Sequence, residues 1–456
     1  MVKNSLSLRE NKTLRWSILL LLSFVMAANY YFYDALSPLK QKMGEILGFS
    51  SSDYGFFIAA YSFPNVFLLM AVLGGMIADR FGIRITGFTF IFFMVAGSCI
   101  TWYGASPYFN EGGFGYSMMN SFWTSKPPAL KVMSLGYFLF GLGAETSIVV
   151  ITKTIVKWFK GMEIAFALGT NLAIARLGSA MSLIITPQLM EPEWTTPIWF
   201  GALLLGIGFL FFILYIGVDF RFDRREKELH TDTEEPFRLK DVTRLLTNKS
   251  FLYITLLCVT FYSAVFPFMK YAPDLLQNKF SLSEKLSGII SSSVYFSTII
   301  FTPLFGWFTD NKGKSASVMI YGSGLLVLVH LILSLTMLTP IVPMIMLGIA
   351  FSLIPAAMWP SVAKIVDQSR IGSAYGLMFS IQNLGLWGFA LLIGMVLDRS
   401  NPGITAEMVS KGQAHFDYTR PIMMLAVLGF VGLLFAFLLK REDKVSGYGL
   451  EMPNKK

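Results

Sequence analysis

Two unlike charges, Glu145 and Arg176, interrupt stretches of sequence that are otherwise apolar. Glu145 lies in YFLFGLGAETSIVV, and Arg176 lies in AFALGTNLAIARLGSAMSLIITP. A charged side chain at the centre of a bilayer costs at least ~2.5–3.5 kcal/mol on insertion scales, and such residues usually face a polar interior. A carboxylate binds an ammonium group, and a guanidinium binds a carboxylate with two parallel hydrogen bonds. The two residues together therefore indicate either an ion pair inside the bundle or a binding site for a small molecule that carries both charges.

Further polar side chains lie within apolar segments and are candidate site residues. Trp359 precedes Pro360 in AAMWPSVA, and the kink expected at this proline favours a cavity wall over core packing. Asp34, Lys153 and Lys270 are candidate coupling residues. Asp34 and Lys270 fit equally well as charges at the end of a span, and Lys153 could extend its stem toward the interface. The other intramembrane polar candidates are Asn65, Gln382 and Asn383.

Chemistry other than binding has little support in the sequence. The three histidines, His230, His330 and His415, are accompanied by no nucleophile elbow, phosphate loop or metal-spaced cluster. His330 fits a buried, hydrogen-bonded histidine better than a proton carrier. Cys99 and Cys258 both lie in apolar runs, which argues against a disulfide or a cysteine metal site. We therefore expect no enzymatic activity, no metal and no cofactor.

The composition is that of a polytopic membrane protein. Hydrophobic residues make up 54% of the 456 residues, and charged residues only 14%. At about 20 apolar residues per span, the sequence predicts an all-α membrane protein with twelve transmembrane helices. The predicted spans are 16–38, 54–77, 86–104, 133–156, 163–188, 197–217, 250–272, 285–308, 317–338, 342–363, 372–396 and 421–439.

An even number of spans places both termini on one side of the membrane. Most lysines and arginines, including Arg80, Arg84 and Lys157, fall on that side, so the positive-inside rule predicts cytoplasmic termini. The net charge of +9 follows this topology and does not indicate nucleic acid. The predicted organisation is an N-terminal half at 1–218, a cytoplasmic linker with a short amphipathic helix at 219–249, a C-terminal half at 250–440 and a cytoplasmic tail at 441–456.

The two halves repeat each other. The string G-M-I-A-D-R-F-G-I-R, which begins at Gly75, recurs 231 residues later as G-W-F-T-D-N-K-G-K, which begins at Gly306. Glycines permit a tight turn, and the charges can pair to hold one end of the bundle shut. A basic loop that only obeys topology would not explain the recurrence. The predicted gating residues are Gly75, Asp79, Arg80, Gly82, Arg84, Gly306, Asp310 and Gly313.

A second repeat aligns residues 167–178 with 374–385, and in this alignment Arg176 corresponds to Asn383. At about 1.5 Å per residue from the turn near Lys160, Glu145 lies roughly 22 Å and Arg176 roughly 24 Å above that turn. At this common depth the two side chains either form a permanent ion pair or bind a ligand that carries a positive and a negative charge. Two-half transporters bind substrate near the midplane, where the repeats meet.

These features resemble a known family. The repeated motif after spans two and eight is similar to the signature of the major facilitator superfamily, whose fold has two pseudo-symmetric six-helix halves. Several longer strings resemble the branch that contains the mammalian lysosomal dipeptide uniporter, and the similarity covers most of both halves. These strings include YYFYDALSPL, GAETSIVV, WFKGMEIAFALGTNLAIARLGS, MWPSVA and GSAYGLMFSIQNLG.

The resemblance implies a secondary transporter that moves dipeptides by alternating access. It implies that Glu145 binds the peptide ammonium and Arg176 the carboxylate, with Trp359 on the cavity wall. The chemistry of a zwitterionic peptide agrees with the reading of the two charges given above. The resemblance also implies weaker substrate contacts from Asn65, Tyr262, Gln382 and Asn383.

Several matters stay open on the sequence alone. Lys153 and Lys270 stand where the resemblance implies neutral residues, so the carrier is either a uniporter or coupled to protons. The alternatives are an organic or inorganic anion carrier that uses Arg176 as its anion site, a non-transporting substrate sensor and, with the least support, a membrane-embedded enzyme. We expect a monomer. The expected location is a bacterial cytoplasmic membrane, because the N-terminus has no acidic dileucine sorting signal. An accessory subunit is not identified.

Overall fold

The computed structural model describes residues 11–226, 239–367 and 370–453, and these ranges contain α-helices and no β-strand. Eleven helices of the described residues are long and apolar enough to cross a membrane. The part of the predicted linker at 227–238 and the last three residues of the predicted tail lie outside the described residues.

The helices of the N-terminal half are α1 Lys12–Ala35, α2 Lys40–Leu47, α3 Ser51–Ala59, α4 Phe63–Phe67, α5 Met70–Ala105, α6 Pro107–Asn110, α7 Tyr116–Ser121, α8 Pro128–Phe159, α9 Ile164–Leu189 and α10 Thr196–Glu226. A short helix, α11 Leu239–Thr247, precedes the C-terminal half. That half contains α12 Lys249–Phe280, α13 Glu284–Lys312, α14 Ser315–Leu335, α15 Ile341–Ile365, α16 Ile371–Ser400, α17 Ala406–Ser410 and α18 Thr419–Ser446.

The second predicted span, 54–77, is not one helix. It is divided into α3, α4 and the start of α5, because Pro64 cannot donate a backbone hydrogen bond and Leu69 adopts a left-handed conformation at φ 52°. The same helix α5 then continues through the third predicted span. This merging explains why eleven long helices correspond to twelve predicted spans.

The two copies of the glycine motif turn the chain at equivalent positions. Gly82 has φ 82° and Gly313 has φ 71°, and these residues are 231 positions apart. Positive φ is accessible to glycine at little steric cost, so the repeat of sequence is also a repeat of backbone geometry. We call the end of the bundle that carries these two turns the motif end.

Charges of the first motif copy brace helices within the N-terminal half. Lys153 Nζ of α8 lies 2.5 Å from Asp79 Oδ1 of α5. Arg84 Nε lies 2.6 Å from Asp219 Oδ2, and Lys157 Nζ lies 2.9 Å from Asp219 Oδ1 on the same fully buried carboxylate of α10. The predicted latch thus has partners on neighbouring helices of one half. Lys153, expected as a coupling candidate, is part of this brace.

The C-terminal segment performs the equivalent bracing in the other half. The backbone N–H groups of Lys314 and Ser315, next to the second motif copy, donate to the carbonyls of Glu451 and Leu450 at 3.0 Å each. Leu450 is fully buried. Helix α18 extends to Ser446, so the described part of the predicted tail is ordered chain packed on the start of α14.

Ion pairs join the two halves at the opposite end, which we call the closed end. Lys270 Nζ of α12 lies 2.9 Å from Asp34 Oδ1 of α1, and both side chains are almost fully buried. Lys40 Nζ lies 2.7 Å from Asp274 Oδ2, again between buried side chains. Each half thus contributes one acid and one base to this end.

We expect Asp34→Asn to destabilise the protein, because it leaves the buried Lys270 ammonium without its counter-ion. Removing one partner of a buried pair typically costs about 3–5 kcal/mol. The melting temperature of the detergent-solubilised protein should fall, and Asp34→Asn combined with Lys270→Met should restore most of the loss. Lys411→Ala, which removes an exposed pair with Glu407, is the matched control and should leave the melting temperature unchanged. An unaltered melting temperature in Asp34→Asn would contradict the expectation.

Candidate functional site

A cavity of about 570 Å³ lies between the two halves. This volume is within the range of roughly 300–1,000 Å³ that is usual for small-molecule sites. Residues from α1, α8 and α9 face residues from α12, α13, α15 and α16 across it. Six of the seven predicted substrate-binding residues line its wall, namely Glu145, Arg176, Tyr262, Trp359, Gln382 and Asn383.

Glu145 is held by a tyrosine at the break in the second predicted span. Tyr61 Oη donates to Glu145 Oε1 at 2.9 Å. Tyr61 lies two residues after the end of α3 and packs its ring against Tyr33 of α1 at 4.6 Å between centroids. The interruption of the second span therefore brings a hydroxyl donor to the carboxylate in the cavity.

Arg176 is surrounded by aromatic rings. Its guanidinium carbon lies 4.6 Å from the ring centre of Phe351, 5.7 Å from that of Tyr30 and 6.0 Å from that of Tyr295. Cation–π contacts of this kind are worth about 0.5–2 kcal/mol each. Within the described residues, the buried Nη1 atom has no hydrogen-bond partner.

Glu145 and Arg176 line one cavity without bonding to each other. The described contacts give Glu145 a tyrosine partner and Arg176 its aromatic neighbours. The permanent ion pair, one of the two arrangements that the sequence left open, is therefore wrong for this conformation. The predicted common depth of the two residues is compatible with their meeting in the same cavity.

The C-terminal half supplies an aromatic wall. Trp359 Nε1 donates to Tyr262 Oη at 3.2 Å, and the indole stacks on Phe379 with 4.8 Å between ring centres. The carbonyl of Trp359 accepts a hydrogen bond from Tyr375 Oη at 3.0 Å. The ring of Tyr375 also packs edge-on against the indole, with 5.6 Å between ring centres, so the wall has a defined shape.

Other predicted site residues are not part of the cavity wall. Asn65 is fully buried and is not part of the wall, so its expected direct contact with substrate is not supported in this conformation. Asp34 and Lys270 pair at the closed end, and Lys153 pairs near the motif end. His330 is buried, with Nδ1 at 2.9 Å from the carbonyl of Leu326, which is the bonded core histidine that the sequence favoured.

The sequence did not identify four aromatic residues that line the cavity near the two charges: Tyr30, Tyr33, Tyr61 and Phe351. Tyr30 and Tyr33 are three residues apart and share a face of α1, which their spacing could have indicated. Tyr61 could have been sought as a donor for an intramembrane carboxylate. Phe351 gives no such signal, since a phenylalanine in an apolar helix is indistinguishable from packing.

A close helix approach positions Glu145 against Tyr61. Gly141 lies one turn before Glu145 in α8, and a Cβ added there would lie 2.9 Å from the carbonyl carbon of Tyr61. We expect Gly141→Ala to force α8 and Tyr61 apart and to destabilise the protein by about 1–3 kcal/mol, measured as a lower melting temperature. Gly206→Ala in α10, where a Cβ would meet no atom within 4 Å, is the control. Equal melting temperatures for the two variants would show that Gly141 is not needed for the close approach of α8 to Tyr61.

Comparison with known proteins places the chain among transporters. A family model described as Major Facilitator Superfamily matches residues 19–390 and 271–451. The lysosomal dipeptide transporter MFSD1 of Mus musculus is 32% identical over 396 residues, which cover 84% of this chain and 80% of the relative. The hexuronate transporter of Bacillus subtilis is 24% identical over 436 residues, which cover 91% and 94% respectively.

Solved structures show the same fold. The nucleoside transporter NupG superposes with a TM-score of 0.67 at 16% identity, covering 93% of this chain and 99% of that chain. A bacterial homologue of the human lysosomal transporter Spinster, inward-facing and occupied, superposes with a TM-score of 0.67 at 13% identity, covering 94% and 97%. With its helices in two halves around a central cavity, this chain belongs to the major facilitator superfamily of multi-pass membrane transporters.

Proposed function

We propose that the protein carries dipeptides across a membrane by alternating access. The observation that supports this most is that Glu145 and Arg176, two unlike charges, line one cavity and are not neutralised by each other. A molecule with an ammonium at one end and a carboxylate at the other satisfies both. The dipeptide transporters among the relatives add independent support.

In this proposal Glu145 binds the substrate ammonium and Arg176 binds the carboxylate. The buried Nη1 of Arg176 lacks a partner among the described residues, and a substrate carboxylate would supply one through a charge-assisted hydrogen bond. The wall of Tyr262, Trp359 and Phe379 presents aromatic surface rather than polar groups. Such a surface accepts side chains of different size and shape, as a carrier of many dipeptides requires.

The transport cycle that we propose exchanges contacts between the halves. In the conformation described above, Asp34–Lys270 and Lys40–Asp274 hold the closed end. Opening that end requires both pairs to separate while the motif end closes. We further propose a monomer in a bacterial cytoplasmic membrane, with cytoplasmic termini, so that the motif end faces the cytoplasm.

A sugar-acid carrier is the second candidate. It is favoured by the similarity to a hexuronate transporter and by the separation of Arg176 from Glu145, which leaves the guanidinium able to bind a monovalent carboxylate alone. The two candidates differ in the amine. If the protein is a dipeptide carrier, a dipeptide with an acetylated amine should be a poor competitor of substrate uptake. If it is an anion carrier, the acetylated dipeptide should compete as well as the free dipeptide.

Uptake of radiolabelled alanylalanine into proteoliposomes tests the proposal. We expect Glu145→Gln and Arg176→Met each to reduce apparent affinity at least about 30-fold, because losing one partner of a buried charge contact costs about 2–5 kcal/mol. Glu191→Gln and Arg420→Met, which change exposed residues of the same types, should transport normally. Full activity in Arg176→Met would remove it from the site, and the absence of dipeptide uptake by the unaltered protein would overturn the proposed substrate.

An imposed pH gradient separates uniport from proton coupling. Two candidate coupling residues are already paired, Lys270 with Asp34 and Lys153 with Asp79, and in this proposal the Glu145 carboxylate is occupied by the substrate ammonium instead of a proton. We therefore expect a uniporter, whose uptake equilibrates dipeptide to equal concentrations and is not driven further by an inward proton gradient. Accumulation above the external concentration that collapses with a protonophore would contradict this expectation.

A further inference from the structure

Two consecutive amide side chains, Gln382 and Asn383 of α16, stand in the cavity wall. Gln382 is 7% exposed and Asn383 is 2% exposed. Amides of this kind are expensive to bury unless their donors and acceptors are matched. The contacts that each makes with the protein therefore decide what each can offer to a ligand.

Gln382 is oriented by a buried thiol. Cys258 Sγ of α12, a fully buried group, donates to Gln382 Oε1 at 3.3 Å. A thiol is a weak donor, but this contact orients the carbonyl oxygen of the amide toward α12 and away from the cavity. The amide nitrogen of Gln382 is then the group left to donate toward the cavity.

Asn383 is oriented the opposite way. Its Nδ2 donates to the carbonyl of Phe379, one turn earlier in the same helix, at 3.0 Å. Its Oδ1 is buried and has no hydrogen-bond partner within the described residues. A buried acceptor without a hydrogen bond is unfavourable, so a ligand donor that reaches this atom gains a hydrogen bond that the protein alone does not supply.

The pair therefore presents one donor and one acceptor on neighbouring residues. A peptide bond presents the complementary set, one carbonyl acceptor and one N–H donor. We infer that Gln382 and Asn383 form a subsite for the peptide bond of the substrate, in which Gln382 Nε2 donates to the carbonyl oxygen and Asn383 Oδ1 accepts from the N–H. The inference rests on the proposed dipeptide function.

This subsite gives the carrier a means of distinguishing peptides from amino acids. A free amino acid has the same two charged ends, which Glu145 and Arg176 bind, but it has no internal amide. A site with buried polar groups rejects a ligand that leaves them unpaired far more strongly than an apolar pocket rejects a missing methylene. The N-terminal half would then bind the ends of the substrate, and the C-terminal half would bind its middle.

The experiment compares alanylalanine with its ester analogue, alanyl-lactate, as competitors of dipeptide uptake or binding. The ester keeps both charged ends and the planar trans geometry, but an oxygen replaces the peptide N–H. We expect the unaltered protein to bind the ester at least about 10-fold more weakly. In Asn383→Leu the ratio of the ester affinity to the amide affinity should become close to one, because the acceptor of the N–H is gone. Gln382→Met should weaken the binding of both ligands and leave this ratio unchanged.

Gln188→Met removes an exposed amide on α9 whose Nε2 donates to the carbonyl of Ile184 in the same helix, and it should leave the ratio of affinities at the value of the unaltered protein. Equal binding of amide and ester by the unaltered protein would overturn the subsite while leaving the dipeptide function intact. Failure of alanylalanine to bind at all would overturn the proposed function itself. The comparison in the unaltered protein decides the inference even if Asn383→Leu does not fold.

Discussion

The environment of the Arg176 guanidinium sets the character of the cavity. A buried charge is stable only if it is paired, hydrogen-bonded or in contact with polarisable groups. The protein surrounds this one with Tyr30, Tyr295 and Phe351 instead of a carboxylate. The rings stabilise the cation without neutralising it, so the cavity keeps a positive site available to an anionic ligand group. Glu145 accepts a hydrogen bond from a tyrosine hydroxyl and, like Arg176, has no oppositely charged partner within the described residues.

This arrangement divides the work between the two halves. The N-terminal half holds both charges, on α8 and α9, and the C-terminal half holds the stacked aromatic residues and the two amides, on α12, α15 and α16. A ligand can shift a conformational equilibrium only by the difference in its affinity for the two states. A substrate that contacts both halves has such a difference, because its contacts are complete only when the halves approach each other. Ligand contacts on one half alone would give binding without closure.

The sequence was informative where a residue contradicts its surroundings. Charges inside apolar helices identified Glu145 and Arg176, and the repeated glycine motif identified the turns at Gly82 and Gly313, where the structure has positive φ angles. The broken second span and the contact of Tyr61 with Glu145 could not be predicted, since they depend on how α3, α4 and α8 pack. Phe351 shows the limit most clearly, because a phenylalanine among apolar neighbours has the same signature whether it stabilises a cation or fills a core.

The two ends of the bundle differ in which helices their charges join, and this difference explains how a rigid protein can have an alternating cavity. Near the motif end, Asp219 joins α5, α8 and α10 of one half, and the segment after α18 is bonded to the start of α14 in the other. At the closed end, Lys270 and Lys40 pair with acids of the opposite half. Contacts within a half can persist through a rocking motion, whereas contacts between halves must be exchanged. A buried pair is a suitable contact to exchange, because the low dielectric that strengthens it when formed is replaced by water when the halves part, and hydration then compensates the separated charges.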